Sequence, residues 1–97
     1  MKKTVVVSIG NSDDKLSQAE WFSFCNNVEY FIKLYSKQCH FYGHSIPNRP
    51  WQNATFVFEL DEIDWKEPKL KYELNQLIEK YKQDSIFWLS GIGEFLC

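Results

Sequence analysis

The apolar pattern of this chain changes period in one order, and that order constrains the fold more than any single residue. Thr4 to Ile9, TVVVSI, is a β-branched run that stops at Gly10 and reads as a buried strand. Ser17-Gln18-Ala19-Glu20 is a capping box: Ser17 caps the amide of Glu20, whose carboxylate reaches back. The helix behind it runs to about Tyr35, with Trp21, Cys25, Val28, Ile32 and Tyr35 on one stripe that Phe24 and Phe31 widen. Cys39 to Ile46, CHFYGHSI, alternates and is rich in aromatics, as a strand should be. Two prolines between Pro47 and Asn53 end it, and Ala54 to Leu60, ATFVFEL, begins another. A second helix is expected from near Asp64 or Pro68, with Leu70, Leu74, Leu77, Ile78 and Tyr81 as its apolar stripe. Ser85 to Leu96 is the last strand, in which Gly91 and Gly93 are expected to mark a bulge or bend.

Strand, helix, strand, strand, helix, strand is the ferredoxin-like split βαβ pattern, βαββαβ. Its usual form is an α+β domain: a four-stranded antiparallel sheet in the order 4-1-3-2, with both helices on one face. The two helical stripes and one face of each strand then supply a single core, to which Phe56 and Phe58 belong by parity with Ala54 and Leu60. A chain of 97 residues allows one such domain, spanning 1–97. Size scaling leaves roughly 5,800 Å² exposed of roughly 16,800 Å² in the unfolded chain, so a core can form without staples. The same elements in another order are the weaker alternative.

Charge and composition exclude several partners. Eleven basic residues against thirteen acidic ones give −2 and a pI near 5.6, which argues against phosphate-neutralising binding. RNA-recognition modules share this topology, but ATFVFE has their aromatics without the basic residue or the glycines, so nucleic acid is not expected. No apolar run approaches about 18 residues, so no membrane partner is expected. Cys25, Cys39 and Cys97 have neither disulfide-framework nor metal-ligand spacing. The opening MKKTVVV is too short for a signal peptide. A cytoplasmic protein with reduced thiols and no cofactor or metal is expected.

The topology gathers three loops at one sheet edge: Gly10 to Ser17, Pro47 to Asn53, and Gln83 to Ser85. Their candidate ligand-binding residues are Asn11, Asp13, Arg49, Trp51, Asn53 and Asp84. Arg49 is the only arginine and so the only bidentate grip on an anion; Trp51 adds a stacking face. A nucleotide-like or other small anionic molecule fits that set. Turn and cap chemistry is the competing explanation for the same Asn and Asp residues.

The aromatic fraction, 18%, exceeds what one core needs. Helices cover only one sheet face, so Tyr42 and either Phe87 or Trp88 are expected on the open one, where an apolar patch signals an interface. The expected function is that of a small non-enzymatic binding module, a homodimer acting through that face and the loop edge. Its other partner would be a protein, as for an antagonist or immunity-type inhibitor, or a small anionic ligand. The alternative is a small dimeric ferredoxin-like enzyme, with His44 and Asp84 as an acid–base pair. Strict alternation puts His40, Tyr42 and His44 on one face, with the two histidines roughly 13 Å apart, too far to chelate one metal.

Overall fold

The computed structural model describes residues 2–11, 15–45, 52–61, 65–94 and 96. In chain order the elements are β1 (Lys2–Asn11), α1 (Gln18–Tyr35), β2 (Gln38–His44), β3 (Gln52–Asp61), α2 (Lys66–Lys80) and β4 (Phe87–Gly91). The strands form one four-stranded sheet, β2-β3-β1-β4, with every neighbouring pair antiparallel. The protein is therefore an α+β structure with two helices.

Strand parity decides which face is covered. Val5, Val7 and Ile9 of β1 pair with Phe58, Phe56 and Ala54 of β3, and all six are buried. They meet Phe24, Val28 and Ile32 from α1 and Leu70, Leu74 and Leu77 from α2 in one apolar cluster. Phe56 and Phe58 lie where their parity predicts, fully buried against the helices.

The helix ends follow local rules. Ser17 Oγ accepts from Glu20 N at 3.2 Å and Glu20 Oε1 accepts from Ser17 N at 2.9 Å, so the capping box forms. The hydrogen bond from the Ser17 amide holds the Glu20 carboxyl below its usual range. Pro68 sits in the first turn of α2, where its missing N–H costs nothing. Glu67 beside it takes ion pairs from Lys3 and Lys71, tying β1 to α2. At the far end, Lys82 N–H bonds to Glu79 O and Gln83 N–H to Ile78 O, the Schellman arrangement. Lys82 holds the left-handed position there, at φ 54°, which a glycine would occupy with less strain.

Two strands differ from expectation. β4 ends at Gly91, opposite Thr4, and does not continue through a bend at Gly91 and Gly93. Glycines add no side chain to hold a ladder together, and Ile92 between the two is 79% exposed. In β2 the register with β3 jumps between Cys39, opposite Phe58, and Phe41, opposite Val57. His40 is thus one extra residue in β2, a β-bulge.

Candidate functional site: the open sheet face and the loop edge

Both helices pack on one side, so the other face of the sheet carries its own side chains outward. Its central row runs Phe41, Val57, Val6, Leu89 across all four strands. The next row is Gly43, Thr55, Ser8, Phe87, with Ser8 and Thr55 hydroxyls 2.9 Å apart. Phe41, Phe87 and Leu89 are 55%, 56% and 56% exposed. The Phe41 ring lies along the strand over Gly43, where a Cβ would come within 2.5 Å of the ring Cζ. That glycine is what lets the ring lie flat. At one end the apolar rows give way to polar pairs, His40 with Glu59 at 3.1 Å and Lys37 with Asp61 at 3.8 Å.

Tyr42 is not on this face. Its ring stacks on Phe56, centroids 4.6 Å apart and planes 12° apart, on the helix side. The bulge at His40 exchanges the two faces, so strict alternation fails beyond it and Phe41 takes the outward position. For the same reason His40, Tyr42 and His44 do not share a face: His40 pairs with Glu59 outside, while Tyr42 and His44 lie on the helix side. Of the two β4 aromatics, Phe87 points outward. Trp88 packs edge-on against Phe58, centroids 6.3 Å apart, under the Lys71 ammonium.

At the loop edge, Asp13, Arg49 and Trp51 lie outside the described residues. Asn11 is fully buried, and its amide brackets its own loop. Nδ2 donates to Leu16 O and Oδ1 accepts from Leu16 N, each at 3.0 Å. Asn53 joins β3 to the end of β2, its N–H donating to Ser45 Oγ at 3.0 Å and its carbonyl accepting from Ser45 N at 2.9 Å. Asp84 is exposed, with Lys15 Nζ at 3.8 Å, which brings the first and third loops together. The structure does not bring His44 to Asp84. β2 and β4 are the two outer strands, three spacings or roughly 14 Å apart. His44 Nδ1 instead lies 2.8 Å from the carbonyl of its neighbour Ser45.

Sequence reasoning missed a cleft of about 400 Å³ between α1 and the end of β2. Trp21, Phe22 and Tyr42 supply its aromatic surface; Gln18, His44 and Gln52 supply polar groups. Cys25 also lines it, with a thiol that burial pushes up to about 12, so it stays protonated and unreactive. Burial likewise raises the Tyr42 hydroxyl above its ordinary value. Nothing in the sequence marks Gln52, and Gln18 reads there only as part of a capping box. A shallower hollow lies on the helix side, with Tyr35, Trp65, Pro68 and Tyr72 around Lys69.

Among the described residues, no three His, Cys, Asp or Glu side chains are grouped to hold a metal ion. Among the same residues no helix is long and apolar enough to cross a membrane. No family model, curated protein or solved structure matches this chain.

Proposed function

We propose that this chain is a ferredoxin-like interaction domain without catalytic chemistry, which works by docking the open face of its sheet on a second copy of itself. The strand order β2-β3-β1-β4, which is 4-1-3-2 read from the other edge, supports the ferredoxin-like reading. The observation that carries the function is the apolar row Phe41, Val57, Val6, Leu89 with Phe87 beside it, on a face that neither α1 nor α2 covers.

Size and charge both bear on the occupant. A Phe offers roughly 150–250 Å² in all, so half-exposed Phe41 and Phe87, with Leu89 and the two valines, present about 300–400 Å² of apolar surface. That is the size of a functional patch on a monomer. It is about half of what each partner buries in a standard interface, roughly 800 Å². Docking through this face is accordingly weak and concentration-dependent. Among the described rim residues, Lys37 pairs with Asp61 and Glu59 with His40 within each copy, which lessens like-charge opposition between two copies. A two-fold rotation sets apolar row against apolar row, as two aligned sheets packing about 10 Å apart require.

Sedimentation equilibrium of the parent and of Phe87→Glu and Leu89→Glu tests this reading. The parent's average mass should rise with concentration. Both variants, folded by circular dichroism, should stay monomeric. A parent that remains monomeric at the highest soluble concentration removes the proposal.

A further inference from the structure

The cleft between α1 and β2 lies on the helix side of the sheet, and its chemistry is independent of the docking face. Among the described residues its lining holds no Lys, Arg, Asp or Glu, so none of them compensates a charged ligand. Its polar centre is a pair of amides. Gln18 Nε2 donates to Gln52 Oε1 and Gln52 Nε2 donates to Gln18 Oε1, each at 3.0 Å. Gln52 is only 2% exposed, so this pair is held in place rather than waving in solvent.

A primary amide has two N–H donors and two carbonyl lone pairs, and the reciprocal pair uses one of each. The side of the pair that lines the cleft therefore keeps an N–H next to a lone pair, on atoms 3.0 Å apart. A donor beside an acceptor at that spacing matches a molecule whose own edge carries an acceptor beside a donor. Glutamine reads the adenine edge by the same alternation. Around this edge stand flat rings. Tyr42 is fixed by its stack on Phe56, His44 lies 5.9 Å from Tyr42, and Phe22 stands 69% exposed at the mouth. The His44 ring is held by its Nδ1, 2.8 Å from the Ser45 carbonyl. A cavity of about 400 Å³ is large enough for a heterocycle with a sugar attached, within the usual range of small-molecule sites.

We infer that this cleft is a binding site for an uncharged, planar heterocycle with adjacent hydrogen-bond donor and acceptor, of nucleobase or nucleoside size. The Gln18–Gln52 pair reads the edge, and Tyr42, His44 and Phe22 hold the ring faces. Recognition is by shape and hydrogen bonding, without an anion grip.

The test is an NMR titration of the full chain with adenosine and uridine, following the side-chain NH₂ signals of Gln18 and Gln52 and the indole signal of Trp21. At least one nucleoside should give saturable shifts in all three. Purine riboside, which lacks the exocyclic donor, should bind at least tenfold more weakly than adenosine where adenosine binds. The corresponding monophosphate should bind no more tightly than its nucleoside. Asn26, an exposed α1 residue that also lines the cleft, allows a blocking variant: Asn26→Trp should weaken binding at least tenfold with the backbone spectrum otherwise unchanged. Gln18→Met should do the same by removing half of the reading edge. Absence of saturable shifts with both nucleosides overturns the inference. So does equal binding of purine riboside and adenosine, binding that survives Asn26→Trp, or a monophosphate preference above tenfold, which would point to an anion site at the loop edge instead.

Discussion

Replacing Asn11 by alanine removes both hydrogen bonds by which its side chain brackets the first loop. Leu16 loses the acceptor of its N–H and a donor to its carbonyl, in a position screened from water by the fully buried Asn11 and the buried Leu16. Each bond is worth about 0.5–1.5 kcal/mol net, and a backbone group left unpaired costs about 1–3 kcal/mol. The two losses together come to about 2–4 kcal/mol, a large part of the roughly 5–15 kcal/mol that holds a domain together. For a chain of this size that lowers Tm by roughly 10–25 °C. Urea unfolding followed by circular dichroism should show the midpoint fall with the slope unchanged. Asn11→Asp sharpens the test. Its carboxyl keeps an acceptor for Leu16 N but must face the Leu16 carbonyl, and burial favours its neutral form, so its folded pKa rises above the unfolded value of about 3.9. Between those two values the unfolded chain ionises first, so this variant loses stability as pH rises through that window and regains it on acidification. A value for Asn11→Ala within about 0.5 kcal/mol of the parent would refute the reasoning and return Asn11 to the loop-edge ligand set.

Other perturbations separate packing, capping and charge. Phe58→Ala should cost about 3–5 kcal/mol, since Phe58 is fully buried and touches Trp88; a parent-like melt would mean that the strand facing is wrong. Lys82→Gly should raise stability by up to about 1 kcal/mol in the same urea assay by relieving the left-handed residue after α2, and a loss would contradict the Schellman cap. Glu67→Gln should destabilise at neutral pH. Hydrogen bonding from Lys3 depresses the folded pKa of Glu67, so its contribution is present above the unfolded value and lost as pH falls through the folded one. Melts of variant and parent should therefore converge in acid; a constant gap would assign the effect to packing.

The legible parts of this fold are those where one local rule acts alone. β3 has an unbroken period of two, so its buried residues could be read by counting, Phe56 and Phe58 among them. Ser17 and Glu20 announce the start of α1 because a capping box is a short-range object. β2 defeats the same counting, since the bulge at His40 depends on pairing with Glu59 and Val57 across the sheet, which no local pattern encodes. Counting alone thus places the open aromatic of β2 at Tyr42, whereas it stands at Phe41. Asn11 reads as a turn residue because its type favours turns. That it folds inward and brackets Leu16 follows from where the loop returns, not from its neighbours in sequence. The Gln18–Gln52 pair joins residues 34 positions apart, and neither residue type signals the other.

The most direct test of the open face as the working surface is a series of ¹H–¹⁵N spectra across a wide range of protein concentration. Progressive shifts should be confined to the rows of Phe41, Val57, Val6 and Leu89 and of Thr55, Ser8 and Phe87, all of them abolished by Leu89→Glu. Spectra that do not change with concentration, or shifts that gather instead around Trp65 and Tyr72, would contradict it.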